Sequence, residues 1–174
     1  MAERRLIVDH LKLTYEGLFD VTELYQVIDT WLRERGFDKR DVRQREHATK
    51  DAKYIEMELQ PWKKITDYAR HVIKMEIKMS GIKDVEVEMN SHKTRLNRGK
   101  VSIIFDGYLD TDYEHKWEQK PMLFVLRTIF DKWIYKSYMS NWESELVESV
   151  NQLHSTIKGF LNLYSYKSQI AQGR

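Results

Sequence analysis

Apolar and polar positions alternate with a period of two through most of the stretch from Arg5 to Leu109. They then settle into helical spacing from Pro121 to Lys167. From Arg5 to Tyr15 the pattern predicts a strand, with Leu11, Leu13 and Tyr15 on one face, Lys12 and Thr14 on the other, and Gly17 as a break. Asp20 stands three residues before Glu23, the spacing of a capping box, and Val21, Leu24, Ile28, Trp31 and Leu32 follow as one apolar stripe. This predicts a short helix that ends at Arg35-Gly36. Asp41 to Thr49 reads as a polar edge strand, Lys50 to Lys53 as a turn, and Tyr54 to Gln60 as a strand stopped by Pro61.

Helix and strand compete in Ile65–Met79. His71, Ile73, Met75, Ile77 and Met79 alternate with Val72, Lys74, Glu76 and Lys78, and a helix would scatter them around its circumference, so the segment is read as a strand. Ser80-Gly81 is expected to turn the chain into a further strand carrying Val85, Val87 and Met89. Asn97-Arg98-Gly99 is expected to turn it again into Lys100–Leu109. There Val101, Ile103, Phe105 and Leu109 face one way, Ser102, Ile104 and Tyr108 the other, and Gly107 marks a bulge or a close approach of the final helix.

Pro121 suits the first turn of a helix, and apolar residues from Met122 through Ile129, Trp133, Leu146 and Ile157 to Tyr164 keep mostly three- and four-residue spacing. A continuous helix over this span is ~65 Å long, more than one compact domain needs. Either it overhangs and pairs with another chain, or it breaks near Ser137–Asn141, where Ser140 and Glu143 have capping-box spacing. The expectation is a single α+β domain over residues 1–174: an antiparallel sheet of about six strands packed against a long C-terminal helix at about 121–167.

Composition agrees with one charged globular domain: 174 residues, 41% hydrophobic and 32% charged, with 7 Gly and 2 Pro. Without cysteine there is no disulfide and no thiolate chemistry. No run approaches the ~18 apolar residues of a membrane span, and Met1–Arg5 leads into a strand-like stretch rather than an apolar signal core. A soluble, cytoplasmic protein is the expectation. The net charge of +2 is smaller than a dedicated nucleic-acid binder usually carries.

The order strand, helix, five further strands, long terminal helix resembles the helix-grip architecture of the START and Bet v 1-like (SRPBCC) superfamily, from about Arg5 to Tyr166. That resemblance implies a curved sheet around the C-terminal helix, with a cavity between them for a lipid, sterol or other apolar molecule. Where the family has two short helices after the first strand, only Val21–Arg35 is visible here.

Met75, Ile77, Val87 and Phe105, with Ile129 and Trp133 of the helix, are the candidate lining for an apolar ligand, methionine being adaptable to irregular space. The competing reading is an ordinary core. Lys93, Arg95, Arg98 and Lys100 form a basic connection between two strands, and Arg40, Arg43, Arg45 and Lys50 a second basic stretch. Either can bind a phosphate backbone, but both lack the interleaved aromatics that stack bases, and a solvated surface competes. Asp106, Asp110, Asp112 and Glu114, with His115, read as a solvated turn before the last helix. None of the six histidines forms a four-residue helical pair, and His71, on an apolar face, reads as a core histidine with a hydrogen-bond partner. Phe124, Phe130, Trp133, Tyr135, Tyr138 and Trp142 mark either an interface or a helix buried on two sides.

No catalytic residue, metal-ligand set or cofactor is nominated. The function expected is a non-catalytic binding protein that holds an apolar ligand or a protein partner between or beside sheet and helix. The alternatives are an RNA- or ribosome-associated protein using the basic connections, and a homo-oligomeric assembly protein using the terminal helix.

Overall fold

The computed structural model describes residues 3–49, 52–89, 92–111, 113 and 135–172. The elements are β1 (Glu3–Phe19), α1 (Val21–Glu34), β2 (Asp41–Ala48), β3 (Lys53–Leu59), β4 (Trp62–Lys64), β5 (Ala69–Met89), β6 (His92–Thr111) and α2 (Tyr135–Gln172). All strand pairs are antiparallel, in the order β1-β6-β5-β3-β2, with β4 also on β5. The fold is therefore α+β, a six-stranded antiparallel sheet with a C-terminal helix, compatible with a helix-grip arrangement. No helix among the described residues is long and apolar enough to cross a membrane.

α1 forms as its sequence predicts. Asp20 Oδ1 accepts from the Glu23 amide at 2.9 Å, and the apolar stripe Leu24, Ile28, Trp31 and Leu32 is buried. At the other end Gly36 takes φ +72. The Gly36 amide donates to Arg33 and the Phe37 amide to Leu32, which satisfies the last carbonyls in a Schellman arrangement. Phe37 is buried and stacks on Trp31, centroids 5.8 Å apart, fixing how the chain leaves the helix.

The sheet departs from the sequence reading at its turns. Gly17 does not end β1, which runs on to Phe19. Pro61 interrupts β3 but not the sheet: its carbonyl accepts from the Ile73 amide at 2.9 Å, and β4 resumes on the same edge of β5 with Trp62 opposite Val72. Proline lacks a donor but keeps its acceptor.

The larger correction concerns Ser80-Gly81 and Asn97-Arg98-Gly99. Neither turns the chain, because β5 and β6 pass straight through them and pair from Ala69–Thr111 to Met89–His92. The two signals are the two sides of one bulge. The register shifts by one residue between Ser80 and Lys83, where Gly81 adopts φ +64. Facing it, Gly99 leaves room that a Cβ would fill, 2.5 Å from Ile82 Cδ1 and 3.0 Å from the Ser80 carbonyl. A left-handed glycine is what a bulge needs as much as a turn does.

α2 runs unbroken through Ser137–Asn141, so the break offered there is absent; the Ser144 hydroxyl donates to the Ser140 carbonyl inside the helix. The upstream part of the expected helix, from Pro121 to Ile134, lies outside the described residues. Leu146, Val150, Leu153, Ile157, Leu161 and Tyr164 form the buried stripe. It packs with Met75, Ile77, Val101, Ile103 and Phe105 of the sheet and with α1 in one core. Gly107 serves both roles suggested for it. It sits at an irregularity in the β1–β6 ladder, and a Cβ there would approach Val8 at 3.2 Å and Leu146 at 3.4 Å.

Candidate functional site

Of the expected apolar lining, Met75, Ile77 and Phe105 have no exposed surface and Val87 is half-buried. Ile129 and Trp133 lie outside the described residues. The open space on the described surface is elsewhere. A groove of about 490 Å³ runs between α1 and α2, lined by Glu23, Gln26, Val27, Thr30, Trp31, Glu34, Thr156 and Phe160. Its floor is apolar, and Leu163, one turn beyond Phe160, is 59% exposed. Among the described residues no lysine or arginine lines it, although the Arg35 guanidinium lies 5.9 Å from the centre of the Trp31 ring. Glu23 accepts the Tyr164 hydroxyl at 2.5 Å, which ties the two helices together at one end. Burial, then that carboxylate, pushes the Tyr164 phenol well above its ordinary value. A second groove, about 720 Å³, follows α2 beside β1 and is lined by Ser140, Glu143, Ser144, Glu148, Asn151, Gln152 and Ser155 with Ile7 and Val147.

Lys93, Arg95, Arg98 and Lys100 are not on a connection between strands, as the sequence reading had them, but within β6. Lys93 stands opposite Glu88 and Arg95 opposite Glu86 on β5, and Lys100 opposite Glu16 on β1, whereas Arg98 stands opposite Lys83 on β5 and Leu18 on β1. The second basic stretch behaves alike: Arg43 and Arg45 on β2 oppose Glu58 and Glu56 on β3. Lys50 lies outside the described residues. A basic residue that registers against a carboxylate contributes less positive field than a bare one.

The acidic group before the last helix is also not a solvated turn where it is described. Asp106 and Asp110 are buried within β6; Asp112, Glu114 and His115 lie outside the described residues. Asp110 takes Arg4 Nε at 2.7 Å and Nη2 at 2.8 Å from β1, and Arg70 Nε at 3.0 Å from β5. Burial alone would raise its carboxyl, but the two guanidinium groups prevail and hold it below the usual range. Asp106 meets His10 and Asp9 of β1, a contact that requires a bulge and so left no trace in the periodicity.

His71 is fully buried, as read. Its Nε2 lies 2.8 Å from the Trp142 carbonyl, so Nε2 carries the hydrogen and donates. Nδ1 is then an acceptor without a partner among the described residues. Burial holds this imidazole below its ordinary value, against the pull of the Trp142 carbonyl and Glu145. Of the aromatic group on the final helix, Tyr138 is 56% exposed and Trp142 half-buried. Phe124, Phe130 and Trp133 lie outside the described residues.

No protein-family model, curated protein or solved structure matches this chain.

Proposed function

We propose that the protein is a non-catalytic binding module that docks an amphipathic, basic segment of a protein partner in the groove between α1 and α2. The observation that carries this is the pairing of an apolar floor (Val27, Trp31, Phe160) with a rim of Glu23 and Glu34 and, among the described residues, no basic side chain in the lining. Two packed helices offer a trough into which a third helix can lay its apolar face. The rim then selects lysine or arginine on the flanks of that face and raises the association rate. Leu163, three residues beyond Phe160 on α2 and exposed, offers further apolar surface on the same helix. The partner thus sits beside the sheet–helix core and not within it.

Selection of helical peptides from a random library against the purified protein tests this reading. Binders should combine an apolar stripe with flanking Lys or Arg. They should lose binding to Val27→Glu and Phe160→Glu proteins that keep the wild-type circular dichroism. Selected binders that are acidic, or that ignore both substitutions, refute it.

A further inference from the structure

Opposite the single residue Asp106 of β6, β1 carries two residues, Asp9 and His10, because Val8 pairs with Gly107 and Leu11 with Phe105. In a regular strand neighbouring side chains point to opposite faces. The extra residue breaks that alternation, and His10 takes φ +50, a left-handed conformation that non-glycine residues seldom hold. As a result, one carboxylate oxygen each from Asp9 and Asp106 and one His10 ring nitrogen lie within 4.8 Å of one another. The His10 amide donates to Asp106 Oδ1 at 2.8 Å. Its Nδ1 lies 3.5 Å from the same oxygen and touches Asp9 Oδ1.

The charges there do not balance. The Asp106 side chain is only 6% exposed, and a buried carboxylate calls for a cation. Among the described residues no lysine or arginine pairs with it. Lys74, opposite it on β5, turns instead to Glu76 at 2.6 Å. Two carboxylates therefore share one imidazole. Asp9 and His10 remain open to solvent, so an ion can reach the buried oxygen from outside. One nitrogen and two oxygens suit a first-row transition cation, whereas calcium and magnesium take oxygen ligands.

We propose that the Asp9–His10–Asp106 bulge is a binding site for a divalent transition-metal cation, held by one imidazole and two carboxylates with positions left for water.

Calorimetric titration of the chelator-treated full chain with Zn²⁺, repeated with Co²⁺ while its visible absorption is followed, tests this. One saturable site is expected. His10→Gln and Asp106→Asn should each weaken it at least roughly 10–100-fold, the loss seen even for outer ligand-supporting residues. His47→Gln, on exposed β2, should leave it unchanged. Should Asp106→Asn fail to fold, the exposed His10→Gln decides alone. Absence of saturable binding, or affinity unchanged in His10→Gln, overturns the assignment; so does loss of the site in His47→Gln.

Discussion

Truncating Phe105 to alanine probes the packing that joins sheet and helix. Phe105 has no exposed surface, lies between Leu11 on β1 and Met75 on β5, and meets the His154 ring of α2 edge-on with centroids 5.8 Å apart. Phe→Ala in such a site costs about 3–5 kcal/mol, the lost transfer energy plus the cavity left behind. Strand neighbours on both sides and a helix above give the surroundings little freedom to collapse, which favours the middle of that range, ~4 kcal/mol. For a chain of this length each kcal/mol lowers Tm by about 2–4 °C, so a drop of ~8–16 °C is expected in thermal denaturation. Urea titration should give the same loss through the midpoint with little change in slope. The opposite perturbation, Ile103→Phe, should also destabilise, by about 1–3 kcal/mol, because a filled interior has no room for added carbons. A Phe105→Ala cost below ~1 kcal/mol together with a tolerated Ile103→Phe would refute this packing and indicate a hollow interior.

Asp110→Asn should cost about 2–3 kcal/mol in urea denaturation, less than three charge-assisted bonds suggest, since Arg4 is 48% and Arg70 28% exposed. Because the Asp110 carboxyl is depressed in the folded state, its contribution is complete above pH ~4 and fades on acidification below that. Gly81→Ala forces a Cβ into φ +64 and should cost ~1–2 kcal/mol in thermal melts; a stabilising effect would contradict the bulge. His71 is held neutral when folded, whereas the unfolded chain takes up its proton below pH ~6.5. Unfolding therefore binds protons there, and stability should fall as pH drops below ~6.5. His71→Leu should flatten that part of the profile, and an unchanged slope would count against a buried neutral ring.

The sequence made the inner face of the sheet legible because alternation survives any error in where strands end: Ile73 to Met79 and Val101 to Leu109 face inward as their spacing required. Strand ends were not legible at Gly81 and Gly99, since left-handed glycine marks turns and bulges alike, and only the partner strand tells them apart. The capping-box spacing at Ser140–Glu143 misled because the same spacing fits inside a continuous helix, where Ser140 offers its carbonyl to the Ser144 hydroxyl one turn on. The Asp110 clamp was hidden because Arg4 and Arg70 approach it from strands far apart in sequence. His10 and Asp9 were harder still, because adjacent strand residues share a face only where the ladder slips.

The long hairpin also sets the order of assembly. β5 and β6 pair from Met89–His92, partners close in sequence, so their ladder can zip from a local start. β1, though synthesised first, seats Leu13 against Ile103 only after some ninety residues have followed. β1 therefore cannot dock before β6 has been made, and until it does the edge of β6 stays open to any strand in its surroundings, which exposes the chain to misassembly.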